Sequence, residues 1–471
     1  MIIQPHPNSK QAYRLLHDGV LALTNAQEQG IRIDMEYCRK KEKELDREIK
    51  DLEGQVYSTK FYRHWQHTLG GKKPNISSNS QLGTFLYKVK KLKPSKQTTT
   101  GQGSTDEEAL QQLNIPELNQ LLKIRGLKKI RDTYLKGFVK EQVNGYIHPN
   151  FNLHLVKTYR GSSDGPNFQN IPKRDEIARA LVRKALYPRP GHQLLEADYS
   201  GIEVCISASY HEDPTMVKYI KDPSTDMHRD MAQQIFLLDE FNKKIPGHKT
   251  LRSAAKNGFV FPQFYGDYYG NCSVSMACSW GKLPEGKWRK GQGMELGDGV
   301  LGDHLISQGF KSLDHFTDHI QKIEKHFWGK RFKVYAKWKE QLWEFYQKNG
   351  YIDLATGFRC SGPMGYNDVT NYPIQGAAFH CLLWSFIQTD KYLQENKMQT
   401  KLIGQIHDAM VLDIYPPELT HVVEVLEDIM TVQLPKAWDW IKVPMTIEMD
   451  LADIDASWND VEFFNHKKII Q

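Results

Sequence analysis

The chain has 471 residues, a net charge of +6, 40% hydrophobic residues and 25% charged residues. That length is too great for one small core and predicts two or three subdomains. No apolar run is long enough to cross a bilayer, and no apolar core follows the opening MIIQPHPNSKQ, so the expectation is a cytoplasmic protein with no membrane partner.

In chain order, Leu45, Ile49, Leu52 and Val56 recur at helical spacing behind a capping Asp34, which predicts a helix over 34–58. Residues 51–100 then hold nine Lys/Arg against two acids, in polar, turn-rich stretches such as KKPNISSNSQ. Such a basic tip suits either a phosphate backbone or a solvated linker. STDEEALQQL restarts a helix at 104–113 with a Ser/Thr-x-x-Glu start, and 116–141 continues as helix.

YPRPGHQLLEADYSGIEVCISASY, 187–210, changes character: Pro and Gly end one element, and an apolar strand runs into Glu196 and Asp198. Residues 249–270 predict a helix with an unusual Pro262 inside, and 271–312 read as Gly-rich and irregular. Two helical stretches follow in 315–346, on Phe316, Ile320, Ile323 and Phe327, then Tyr335, Trp338, Leu342 and Phe345, with a break expected at Gly329. A hairpin at 402–414, a helix near 417–433 and a strand in VPMTIEMD complete the chain. Six scattered cysteines are expected as free thiols, because the one close pair, Cys272 and Cys278, fits neither zinc spacing nor a redox CxxC.

LIGQIHDAMVLDI, 402–414, places His407 and Asp408 between two apolar runs. A carboxylate there is expensive to desolvate unless it is paired or holds a metal. Asp198 is delivered in the same way by QLLEA. Two strand-end acids could meet at one sheet edge and hold divalent ions for phosphoryl transfer, or could be solvated turns. Magnesium needs only one or two protein carboxylates. Arg252 and Lys256 are four apart and share a helical face that could grip a triphosphate. Phe261 and Tyr265, again four apart, could wall a base and sugar; a plain amphipathic helix with a basic edge is the alternative.

DYSGIE (198–203), Arg252-x3-Lys256 with Phe261-x3-Tyr265-Gly266, and QIHDAMVL (405–412) resemble the three polymerase motifs of family A DNA polymerases. TYRGSS with PNFQNIPKRD, NYPIQGAA and the NSQLGTFLY…TGQGSTDEEAL region resemble further family segments, in order, from about residue 15 to 460. The resemblance implies an α+β right hand with a helical thumb (1–150), an antiparallel-sheet palm (151–212 and 346–471) and helical fingers (213–345). It implies template-directed extension of a primer with dNTPs by two magnesium ions, with manganese as a substitute, bound to Asp198 and Asp408. Arg252 and Lys256 would bind the triphosphate, with Lys256 a candidate acid for pyrophosphate. Glu203 would exclude a ribose 2′-hydroxyl with Tyr265 packed beside it, and Phe261 would line the sugar pocket. Arg160, Asn371, Gln375 and His407 would contact the primer terminus or nascent pair, where a minor-groove contact checks pair shape more than sequence.

The chain departs from that pattern in several places. Ala409 stands where the family has an acid, and Gly201 and Cys205 stand where it has Gln and Arg. Altered metal dependence or fidelity is the expectation. Lys256 to Tyr265 spans one residue more than usual, which in a regular helix would turn the aromatics by about 100° away from the cations. A π-bulge between 256 and 262, aided by Pro262, is predicted to absorb it and to keep Phe261, not Val260, on the functional face. The thumb-like pattern begins near the first residue, so no in-chain 3′–5′ exonuclease is expected; a separate exonuclease or processivity factor would then be a partner. The compact form resembles what a phage encodes. The rival readings are a single-subunit RNA polymerase, against which Glu203 argues, and a catalytically weak primer-template-binding protein, for which Ala409 argues.

Overall fold

The computed structural model describes residues 9–94, 97–98, 101–173 and 175–468. Its centre is a five-stranded antiparallel sheet. The strands are β1 (Gln193–Tyr199), β2 (Lys401–Ile406), β3 (Ala409–Ile414), β4 (Ile447–Leu451) and β5 (Glu462–Phe464), in the order β2-β3-β1-β4-β5. β1 is central, so its apolar run is covered on both faces. Alternation along the strands sorts side chains into two cores. Leu194, Val411 and Ile403 join the core that holds most of residues 31–186, while Leu195, Ala197, Met410 and Leu412 join the larger core of residues 202–447. Glu196 and Asp198 therefore share the face of Leu194.

The helix expected over 34–58 is α1 (Met35–Tyr57); the Asp34 carboxylate accepts from the Tyr37 N–H at 2.8 Å, and Leu45, Ile49 and Val56 are buried. The helix expected over 104–113 starts later. It spans Glu107–Gln112 and is capped by Asp106 instead of Ser104 or Thr105, because the Asp106 carboxylate reaches the Ala109 N–H. Parts of the basic stretch at 95–96 and 99–100 lie outside the described residues.

The expected helix 249–270 is shorter and composite. α2 runs from His248 through Ala255, passes through a π-turn at Lys256–Val260 and ends with Phe261–Phe264. The Phe261 N–H donates to the Lys256 carbonyl, five residues back, which is the predicted bulge. Gly266, at φ +90°, ends the helix; a Cβ there would lie 2.1 Å from Asn367 Oδ1.

Residues 271–312 are more ordered than expected. They contain helical Tyr269–Val274 and Ser275–Trp280, a two-strand ribbon at Glu295–Leu296 and Gly299–Val300, and a helix at Leu301–Ser307. The glycines had hidden short elements that pack by tertiary contact. The pair of helices in 315–346 is present as Leu313–His326 and α3 (Lys333–Asn349), broken at Phe332, just after the π-turn that contains Gly329. The 30-residue α4 (Tyr366–Glu395) carries Pro373 inside it and packs in the larger core. All six cysteines are free. Among the described residues no helix is long and apolar enough to cross a membrane.

Candidate active site

Asp198 is the penultimate residue of β1 and Asp408 sits in the two-residue turn between β2 and β3. The register pairs Ala409 with Asp198, and the Tyr199 N–H donates to the Asp408 carbonyl at 3.3 Å, so the two acids occupy adjacent positions at one sheet edge. His407 is exposed and takes φ +51°, as the first position of a tight hairpin turn can require. Its carbonyl accepts from the Gln405 amide, whose own oxygen accepts from Gln169 Nε2 at 2.7 Å, so the turn is braced from below.

Burial pushes the Asp408 carboxyl up to about 7; Arg160 opposes this, and Glu203 and Asp198 reinforce it. Burial likewise raises Asp198 against the pull of Lys173, with Glu196 and Glu448 adding to the rise. Lys173 Nζ lies 3.4 Å from Asp198 Oδ2 and 3.1 Å from Glu196 Oε2. Glu196 is buried; it also accepts from the equally buried Arg183 and from the Trp458 indole. Burial raises Glu196, but Arg183 and Lys173 outweigh it and hold the carboxyl below its ordinary value.

Among the described residues no group of three His, Cys, Asp or Glu is arranged as a protein cage for a metal. Asp198 and Asp408 still fit a hard divalent ion that takes its other ligands from phosphate and water. They are adjacent carboxylates, the Asp198 charge raises the proton affinity of Asp408, and an ammonium already rests on Asp198. Ala409, next to both, adds no further ligand.

Glu203, in the first turn of the helix Ile202–His211, joins three segments. One oxygen accepts from Arg160 Nη2 at 2.9 Å and the other from the Tyr265 hydroxyl. Burial and then the Glu203 charge push the Tyr265 phenol well up, so it remains a proton donor to that carboxylate. Glu203, Phe261, Tyr265, Asn371, Gln375 and Tyr335 line one cleft. Asn371 Nδ2 donates to the Tyr265 carbonyl at 3.0 Å. The π-turn brings Phe261 beneath Lys256. Lys256 Nζ lies 5.3 Å over the Phe261 ring, while Val260 is buried.

Arg252 is turned to Asp226, with which it makes a bidentate pair at 2.7 and 3.0 Å. His228 packs edge-on against Phe261 at 5.6 Å; burial first, then Lys256 and Arg252, lower its imidazole to about 4. Asp226 and His228 went unnoticed in sequence, as did Lys173 and the Arg183–Glu196–Trp458 cluster. Lys173 lies within the quoted PNFQNIPKRD, and Glu196 interrupts an apolar strand two residues before Asp198. Those were signals of an internal ion pair.

A family model described as "DNA polymerase family A" matches residues 35–279 and 317–460. The chain belongs to DNA polymerase family A. Among relatives of this family A chain, DNA polymerase I of Geobacillus stearothermophilus is 26% identical over 432 residues, 90% of this chain and 44% of that protein. DNA polymerase I of Synechocystis sp. is 25% identical over 470 residues, 95% of this chain and 42% of that protein. The chain thus spans less than half the length of these relatives. The polymerase domain of Pol1 from M. smegmatis, solved in complex with DNA primer-template and dNTP, shares the fold with a TM-score of 0.73 at 22% identity, over 95% of this chain and 70% of that one.

Proposed function

We propose that this family A chain is a template-directed DNA polymerase that extends a primer 3′ end with dNTPs. The observation that carries the reading is the meeting of Asp198 and Asp408 at one sheet edge, beside a Glu203 carboxylate fixed by Arg160 and Tyr265. Asp198 and Asp408 would hold two magnesium ions, for which manganese could substitute, and these would supply positive charge to the reacting oxygens. The chain's own residues position the substrates. Arg252 leaves Asp226 and takes the triphosphate bidentately, and Lys256, one turn on, binds it as a point charge and protonates the departing pyrophosphate. Phe261 walls the sugar. Glu203 fills the space a 2′-hydroxyl would need, and the Tyr265 hydroxyl holds it there. Arg160, Asn371, Gln375 and His407 face the primer terminus and the nascent pair. Residues 1–150 act as the thumb, 213–345 as the fingers, and the rest as the palm.

The test is primer extension on a DNA template with magnesium, dNTPs and rNTPs in parallel, beside Asp408→Ala. Extension with dNTPs alone, lost in the variant, is expected. Extension with rNTPs overturns the role of Glu203. Tight primer-template binding without extension favours the binding-protein reading, for which Ala409 is the specific observation.

A further inference from the structure

Helix α2 ends at Phe264, and its last carbonyls are met by donors of the protein itself. Four of them are met by backbone or amide donors: Phe261 by the Tyr265 N–H, Pro262 by Asp267, Gln263 by Gly266, and the capping Tyr265 by Asn371 Nδ2. The remaining one, Phe264, is met by a side chain from a distant helix. Lys339 Nζ, on α3, donates to the Phe264 carbonyl at 2.6 Å and also approaches that of Gln263 at 3.5 Å.

Lys339 is an odd residue to find there. It is 4% exposed, and among the described residues it has no carboxylate partner. Its ammonium lies 4.6 Å from the Trp328 ring and 5.0 Å from the Tyr335 ring. A buried lysine is costly unless its charge is met, and here two ring faces and the negative end of a helix offset only part of that cost. Around it the frame is rigid. Buried Gln263 accepts from the Trp328 indole at 2.7 Å and donates to Glu324 at 2.8 Å. Tyr335, one turn before Lys339 on α3, stacks on His211 at 4.1 Å and lines the same cleft as Glu203 and Tyr265.

The residue after the clamped carbonyl is Tyr265. Its hydroxyl holds Glu203, and its ring position is set by the last turn of α2. We propose that Lys339 is a positioning residue for sugar selection: by clamping the Phe264 and Gln263 carbonyls it fixes the end of α2 and so seats the Tyr265 hydroxyl on Glu203. This inference rests on the polymerase reading. It assigns to a residue outside the lining of the Glu203–Tyr265 cleft a part in distinguishing dNTP from rNTP.

The experiment is single-nucleotide extension with dATP and rATP, reading kcat/KM for each, on the full chain. The variants are Lys339→Met, Tyr265→Phe and the double variant, with primer-template affinity and cooperative melting as controls. Lys339→Met is expected to bind primer-template normally and to lower the dATP/rATP ratio by about tenfold, the worth of roughly one buried hydrogen bond. In the Tyr265→Phe background it should change the ratio no further, because both act through one contact. Equal losses with dATP and rATP, or additive effects in the double variant, overturn the inference. If Lys339→Met does not melt cooperatively, Lys339→Leu, which also lacks any donor for the two carbonyls, is read by the same ratio, and a wild-type ratio there again overturns the inference. A wild type that accepts both sugars equally defeats the assigned role of Glu203, whereas a selective wild type with an equally selective Lys339→Met defeats the Lys339 inference alone.

Discussion

Asp408 should destabilise the protein that carries it. Take Asp408→Asn, which removes the charge and keeps the shape. Without metal, burial pushes the folded-state carboxyl up to about 7, against 3.8 for an ordinary aspartate. A fully buried group displaced that far costs the folded state about 4 kcal/mol once ionised. Asp408 is only partly buried, and solvent screening reduces the expectation to about 1–2 kcal/mol. The sign follows from proton uptake. Between about pH 4 and 7 the folded chain keeps a proton that the unfolded chain has released, so this group's contribution falls as pH rises and is lowest above 7. Asp408→Asn should therefore melt above wild type at pH 8 in chelator. A 471-residue chain unfolds with an entropy of roughly 1 kcal/mol per degree, so the gain is about 1–2 °C. The gap should narrow toward pH 5, and added magnesium should raise the wild-type melt but not that of the variant. A gap that is independent of pH, or a variant that melts below wild type at pH 8, would refute the reasoning.

Three other outcomes follow from the same geometry. Glu196→Leu strands buried Arg183 without its counter-ion and should cost about 3–5 kcal/mol in urea unfolding; Arg183→Met/Glu196→Leu should recover most of it, and a double variant as weak as the single one would show that the ion pair is not the cause. Gly258→Ala puts a Cβ 2.7 Å from Met276 Cγ and 3.1 Å from the Trp280 ring, so it should cost about 1–3 kcal/mol; an unchanged denaturation midpoint would mean that the π-turn is loosely packed. Burial lowers Lys339 to about 7, so the folded state releases that proton well before the unfolded chain does, near 10.5. Wild type should therefore gain stability relative to Lys339→Met as pH rises from 7 to 9.5, and parallel profiles for the two proteins would contradict the assignment.

The parts of the site legible in sequence were those written in local pattern. Asp34 marked the start of α1 because a cap needs only its own next turn. The bulge in α2 was legible because a one-residue excess between Lys256 and Tyr265 has to be absorbed somewhere, and Pro262 cannot donate. Asp198 and Asp408 stood out because carboxylates interrupt apolar strands. What escaped was set by packing between distant segments. Residues 271–312 read as irregular because their short elements are held by neighbours, not by periodicity. Asp106 took over a cap assigned to Ser104 or Thr105, a choice between adjacent candidates that tertiary placement decides. Lys339 lies four residues after Tyr335 and three before Leu342, on the stripe already recognised as buried, but which groups would receive its charge lay 75 residues away in sequence.

The distribution of charge around the two aspartates explains how Ala409 can be accommodated. The chain's cations are directed at the supporting acids: Arg183 and Lys173 at Glu196, Arg160 at Glu203. Asp198 shares Lys173, and among the described residues Asp408 has no ion pair at all. The register adds Glu448 opposite Asp198 and Asp450 opposite Glu196, so this end of the sheet is already dense in carboxylates. An additional acid at 409 would sit against Asp198 in the ladder, where a like charge directly opposite is destabilising. Alanine relieves that repulsion and leaves Asp408 as the carboxylate in greatest need of an outside cation. Metal affinity should then depend on Asp408 more than on its neighbours. Ala409→Glu should show this in magnesium and manganese titrations of extension: a lowered metal requirement with a lower melting temperature in chelator is the expected pair of effects, and identical titrations and melts would mean that the position is electrostatically silent.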